Sequence, residues 1–81
     1  MRLARGLKAV VYDKNEVRVK QNIKIISDDG LSVKVQTIEV VEKMRSGESH
    51  KNAQKRAEEK LEREVEKFKN ELRKRGYGVI E

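Results

Sequence analysis

The chain contains no cysteine, no proline and no tryptophan, and has only one phenylalanine and one histidine. Without cysteine there is neither a disulfide framework nor a thiolate metal site. The sole histidine, His50, leaves no paired-imidazole metal site, and Gly30 and Gly47 stand alone, so no Walker-type loop is present. Asp28-Asp29-Gly30 lacks the remaining ligands of a calcium loop and reads as a turn. The helical acids alternate with lysine and arginine, which leaves no obvious carboxylate pair for acid–base work. The expectation is a protein that is not an enzyme, with no cofactor, no metal and no small-molecule substrate. Long apolar runs are missing as well. Nothing approaches the ~20 residues of a membrane span, and Met1–Gly6, which carries Arg2 and Arg5, is followed by no stretch of signal-peptide length. A cytoplasmic, intracellular protein without membrane contact is expected.

What the chain has in abundance is charge: 42% of its 81 residues are charged, with a formal net charge of +6. A chain of this length makes one domain. It buries only about 60–65% of its unfolded surface, so its core must be thin. Stability then comes from a compact sheet–helix layer, from oligomerisation, or from both. The lack of Cys and Pro beside abundant Lys, Arg and Glu also resembles a thermophile's surface.

Leu7–Tyr12 is rich in β-branched and aromatic residues and ends in the turn signal Asp13-Lys14-Asn15. Glu16–Ile25 then alternates, with Val17, Val19, Ile23 and Ile25 on one side and Arg18, Lys20, Asn22 and Lys24 on the other. Gly30 suits the left-handed position of a three-residue loop Asp28-Asp29-Gly30. In that register Leu31, Val33 and Val35 point inward, and the later Ile38 and Val40 demand a phase change, hence a β-bulge near Gln36-Thr37. The first loop reads as either three residues (Asp13-Lys14-Asn15) or two (Lys14-Asn15), and the two choices turn opposite faces of strand one to the core.

Ser46-Gly47-Glu48-Ser49 is a helix start with Ser46 or Ser49 as N-cap, and Gly76 is a suitable stop. The predicted fold is α+β: a three-stranded antiparallel meander (β-β-β) packed on one long C-terminal α-helix. Its parts are a basic arm at 1–6, a sheet at 7–43, a helix at 47–75 and a tail at 76–81. Such a helix spans about 40 Å against strands of roughly 30 Å. Its last turns are therefore expected to overhang the sheet, with Tyr77, Val79 and Ile80 folding back over them or joining a dimer contact.

At about 100° per residue, Ala53, Ala57, Leu61, Val65, Phe68 and Leu72 share one stripe, the core face. The adjoining arc of about 80° holds Asn52, Arg56, Lys60, Arg63, Lys67, Asn70 and Lys74 and no acid. Glu58, Glu59, Glu62 and Glu66 gather on another arc beside Lys51, Lys55, Lys69 and Arg73, where i,i+4 pairs such as Lys55–Glu59 and Glu59–Arg63 are expected. This segregation makes Arg56, Lys60, Arg63 and Lys67 candidates for phosphate contact, with Lys51 near the positive end of the helix dipole. The outward sheet positions Arg18, Lys20, Lys24 and Lys34 form a second basic patch, joined by Lys8 and Tyr12 if the first loop has three residues. Helix and sheet patches face apart, so one straight duplex meets only one of them.

The run Ser49-His50-Lys51-Asn52-Ala53-Gln54-Lys55-Arg56-Ala57 resembles the start of the last helix of double-stranded-RNA-binding domains, which opens with a Ser-Lys-Lys-x-Ala-Lys pattern. Ser49, Lys51, Ala53 and Ala57 match, while His50 and Gln54 replace lysines; the strand–strand–strand–helix order matches over residues 7–72. The resemblance implies phosphate contact from the helix N-terminus. The family's first helix and its histidine-bearing loop have no counterpart here. The same element order is similar to small amino-terminal DNA-binding domains of some integrases, which lay a sheet in the major groove. The expectation is a basic protein that binds the backbone of duplex DNA or RNA with low sequence specificity, as a possible homodimer. The alternative is an interaction module whose long helix pairs with its copy or with an acidic partner protein.

Overall fold

Alternation of apolar and charged residues makes the central segment a strand with one dry face. Strand β2 (Glu16–Ile26) turns Val17, Val19 and Ile23 to the interior, all fully buried, and Arg18, Lys20 and Lys24 to the opposite side. It pairs antiparallel with β1 (Arg2–Tyr12) on one edge and β3 (Val33–Lys43) on the other, in the sheet order β1-β2-β3. A single helix, α1 (His50–Lys74), covers one face. The computed structural model describes residues 1–80 of the chain. The α+β class and the β-β-β-α order follow the sequence reading. Helix residues Ala53, Ala57, Leu61, Val65 and Leu72 meet the inner sheet residues in one core cluster, with Phe68 half-buried at its margin. Alanine at the first two positions leaves room for the helix to approach closely.

The register of β3 differs from the sequence reading. The second loop has four residues, Asp28–Leu31, closed by Ser27 N donating to Ser32 O and by Gly30 N donating to Ser27 O, with Gly30 at φ +74°. That one additional residue shifts β3 so that Ile25 faces Lys34 and Ile26 faces Val33, and the pairing runs without interruption to Glu16 and Lys43. No bulge is needed at Gln36-Thr37, because Ile38 and Val40 already face inward. Since side chains alternate, the same shift puts Val33 and Val35 on the uncovered face, where they are 56% and 59% exposed.

The bulge lies in β1 instead. Arg5 pairs with Ile23 and Lys8 with Gln21, so one extra residue sits on β1 around Gly6 and Leu7. The bulge frees carbonyls, and buried Gln21 answers them: its side-chain amide donates to Gly6 O at 3.0 Å and Leu7 O at 3.3 Å. A polar residue among the inward-facing valines is thereby satisfied. Gly6 suits a close approach, since a Cβ there would stand 3.2 Å from Asn22 Cβ and push that side chain aside. The first loop is the two-residue form, Lys14-Asn15, with Asp13 N donating to Glu16 O. Lys8, Val10 and Tyr12 consequently face the helix side.

Residues 2–6 are no free arm: they are the first half of β1, with Arg2 to Arg5 held against Ile26 to Ile23 and Leu3 buried. This lengthens the strands to 11 residues each, about 36 Å, which matches the ~37 Å of a helix of 25 residues. The expected overhang disappears. Ser49 is the N-cap, its hydroxyl accepting from Asn52 N, and after Gly76 at φ +90° the tail returns along β1. Leu3 N donates to Ile80 O and Ile80 N to Met1 O. Val79 packs on the core margin while Tyr77 remains half-exposed.

Candidate nucleic-acid interface

With one helix, the sheet has one covered face and one open face. The open face is ordered by register. Arg18 on β2 lies between Val11 and Val41, Lys20 between Ala9 and Glu39, and Lys24 between Ala4 and Val35. Arg2 and Lys43 stand on the same face at opposite ends, opposite Ile26 and Glu16. Five cations therefore share this surface with two carboxylates, Glu16 and Glu39. Glu39 lies between two of the cations, 3.3 Å from Arg18 Nη1 and 3.6 Å from Lys20 Nζ. Glu16 lies 3.7 Å from Arg18 Nη2. Lys24 has no carboxylate partner among the described residues. Small neighbours Ala4 and Ala9 leave the lysine stems standing clear of the β1 side.

Lys34 departs from this group. The unbulged register pairs it with Ile25, so it lies on the helix-side face at the outer edge of β3, away from Arg18, Lys20 and Lys24. Lys8 and Tyr12 also leave the patch. Lys8 Nζ donates to Glu58 Oε1 at 2.8 Å, and Tyr12 bonds Gln54 and stacks on His50 with ring centroids 4.9 Å apart. The His50 ring Nε2 in turn donates to Asp13 O at 2.8 Å, tying the helix start to the first loop. That is a packing and anchoring role.

The helix candidates separate into two groups. Arg56 is a structural clamp: Nε donates to Glu42 Oε1 at 3.1 Å, Nη2 to Lys43 O at 3.0 Å, and Nη1 to Glu48. Lys60 Nζ stands 2.6 Å from the other Glu42 oxygen. Both side chains thus join the helix to the end of β3. Arg63 and Lys67 remain on the flank, lining a shallow groove with Lys60, Glu64, Glu39 and Val40. Lys67 is 3.4 Å from Glu64, and Arg63 has no carboxylate partner among the described residues. Lys51 is exposed in the first turn. The acidic arc is solvent-exposed at Glu59, Glu62 and Glu66, as expected, but its ion pairs reach across to β1 instead of along the helix. Glu58 takes Lys8 of β1, and Glu62 takes both terminal nitrogens of Arg5, one at 2.7 Å. The i,i+4 pairs Lys55–Glu59 and Glu59–Arg63 do not form among the described residues, and Lys69 is buried with its Nζ 3.4 Å from Glu66.

These cross-layer pairs make stability depend on pH. The Lys60 ammonium, followed by Arg56, holds the Glu42 carboxyl below its ordinary value, against the opposing effect of burial. Lys8 does the same to Glu58, and Arg5 to Glu62. A folded pKa below the unfolded one means that the unfolded chain binds protons first, so the contribution is complete at neutral pH and is lost as pH falls through the depressed values. The urea midpoint is expected to stay level from pH 8 to 6 and to drop as pH falls below the ordinary glutamate value of 4.5. Glu42→Gln should flatten part of that fall; a midpoint constant down to pH 3 would deny these pairs any role.

Arg2 and Lys43 went unread in the sequence as open-face residues. The signal for Arg2 was faint: Leu3 beside it is the one large apolar residue of that half-strand, and the bulge between Arg5 and Lys8 reverses the alternation of β1 in front of it. No comparable signal marks Glu42 as the anchor of two helix cations, because its partners lie far along the chain. Comparisons with protein families, with characterised proteins and with solved structures find no match to this chain, so its function has to be read from the surface chemistry itself.

Proposed function

We propose that the open face of the sheet binds the sugar–phosphate backbone of duplex nucleic acid with little sequence preference. The observation that carries this reading is the row Arg18, Lys20 and Lys24 along β2, flanked by Arg2 and Lys43, on a face that no other layer covers. Alternate residues on a strand stand about 6.8 Å apart, so Lys20 follows Arg18 by one such step and Lys24 follows Lys20 by two, with the amide of Asn22 between them. None of the strand residues on this face is aromatic, since Tyr12 is turned to the helix side, and Phe68 lies at the core. Recognition of single strands leans on aromatic stacking platforms, so the composition of this face favours duplex backbone. Two strand spacings make the sheet about 10 Å between its outer axes. The wide major groove of B-form DNA admits part of such a sheet, whereas the deep, narrow one of A-form RNA does not, which favours DNA.

The helix flank is the weaker surface, because Arg56 and Lys60 are held by Glu42 and Glu48. Titration of fluorescent duplex DNA, duplex RNA and single strands at two salt concentrations tests the reading. Duplex DNA is expected to bind most tightly, at about 1–100 μM, with log K falling steeply against log salt. Arg18→Gln/Lys20→Gln/Lys24→Gln should reduce that slope by about 2–3, whereas Arg63→Gln/Lys67→Gln leaves it nearly unchanged. Loss of binding only in the helix pair would move the site to the flank, and absence of binding at low salt would end the nucleic-acid reading.

A further inference from the structure

The two edges of the sheet are built differently. β1 is interrupted by its bulge between Arg5 and Lys8, and its first residues already carry the returning tail at Ile80. β3 has 11 residues, pairs with β2 without a break, and contains no glycine or proline. Bulges, prolines and covering segments are the usual ways to blunt an edge. Among the described residues β3 has none of these three; the charges it carries, Lys34 and Glu42 on the helix side and Glu39 and Lys43 on the open side, are of both signs and so restrict its pairing to registers that match them.

The hydrogen-bond pattern defines what this edge offers. Ser27 N donates to Ser32 O, and Met44 N to Asn15 O. In an antiparallel ladder these two bonds assign the even-numbered residues of β3 to β2. The backbone N–H and C=O groups of the odd-numbered residues Val33 to Val41 therefore point outward, while at the strand's end Lys43 O already accepts from Arg56 Nη2. We propose that a second copy of this chain pairs antiparallel along β3, with Ile38 on the two-fold axis, to give a dimer with one six-stranded sheet.

Only registers that set odd residues against odd residues satisfy those outward groups. With Ile38 on the axis, Val35 faces the partner's Val41, Lys34 faces the partner's Glu42, and the two Ile38 side chains meet. Moving the axis to Thr37 sets Val35 against Glu39 and Lys34 against Val40. Moving it to Glu39 sets the two Glu39 carboxylates against each other and Val35 against Lys43. The Ile38 axis sets Val33 against Lys43, and the Thr37 axis would set Val33 against Val41, but of the three only the Ile38 axis pairs opposite charges; two-fold symmetry uses its Lys34–Glu42 and Val35–Val41 matches twice and the Ile38 contact once. The register also covers two apolar residues that the monomer leaves open, Val35 at 59% and Val41 at 43% exposure. Both helices lie on one side of the joined sheet and both open faces on the other, so the dimer stands or falls independently of nucleic-acid binding.

Sedimentation across micromolar concentrations should show a species of twice the 9.4 kDa chain mass. Ile38→Cys supplies the protein's only thiol, and in this register the two Cα atoms are about 4.5 Å apart, within disulfide reach. Mild oxidation should join it covalently. Gln36→Cys, which faces the partner's Val40 and lies ~13 Å from its own copy, should stay unlinked. Lys34→Glu creates two like-charged pairs and should weaken the dimer about tenfold. Thr37→Pro, which removes an outward N–H that β2 does not use, should weaken it at least about tenfold while preserving the circular dichroism of the fold. A chain that stays monomeric throughout overturns the proposal. So does a dimer that cross-links through Gln36→Cys rather than Ile38→Cys, or one that neither Lys34→Glu nor Thr37→Pro weakens.

Discussion

Leu61→Ala is expected to lower the unfolding free energy by about 3 kcal/mol, inside the 2–5 kcal/mol range of buried leucine truncations. Leu61 sits at the middle of α1, 1% exposed, and is among the largest fully buried side chains of the protein. Its neighbours in the core are Val17, Val19, Ile23, Ala57 and Val65, which are β-branched or small and can collapse only partly into the space left behind. A domain of this length has a total stability of roughly 4–12 kcal/mol, so the loss is a large fraction of it. The midpoint of thermal unfolding should fall by about 12–24 °C. Leu7 and Leu31 provide the contrast: they are 83% and 85% exposed, and their alanine variants should change stability by less than about 0.5 kcal/mol. Urea unfolding followed by circular dichroism at one fixed protein concentration measures all three. Equal costs at Leu61 and Leu7 would mean that α1 does not dock through this face.

Arg56→Gln should cost about 2 kcal/mol and leave nucleic-acid affinity almost untouched. The guanidinium serves two carboxylates and a backbone carbonyl at once, and its side chain is 21% exposed against 12% for Glu42. A hydrogen bond to a charged group contributes roughly 1.5–3 kcal/mol, and partial solvent access keeps the total below the 3–5 kcal/mol of a fully buried pair broken on one side. Removal leaves Glu48 without its cation and Glu42 with Lys60 alone. Arg56→Lys retains the charge but not the planar fork that spans three acceptors, so it should recover less than half of the loss. Duplex affinity, corrected for the folded fraction, should change less than about twofold, since this residue makes no open-face contact. A tenfold loss of binding in a variant that is still folded would return Arg56 to the interface.

Period-two alternation in Glu16–Ile25 was enough to identify β2 and its dry face. The helical stripe from Ala53 to Leu72 was equally plain, and with Gly76 it located the helix and its end. Strand one was legible only from Leu7 onward, because its earlier half offers one apolar residue, Leu3, to mark a face that Arg5 shares. The basic row on β2 was read correctly at Arg18, Lys20 and Lys24. Lys34 was assigned to the wrong side through a single-residue error in loop length.

That error shows where local pattern stops. Element type is set by short-range periodicity and by caps within a few residues, and the chain carries that information in sequence order. Register depends on how many residues the loop takes and where a bulge absorbs an extra one, and a slip of one residue exchanges the two faces of a strand. The charge partners are more remote still. Glu58 with Lys8, Glu62 with Arg5 and Glu42 with Arg56 exist only because α1 lies along the sheet at one rotation about its axis. By itself, the sequence determined three strands, one helix, their order and a basic surface. The tertiary structure decided which cations hold the two layers together and which stay on the open surface, because an ion pair forms by proximity in space, and proximity follows from packing.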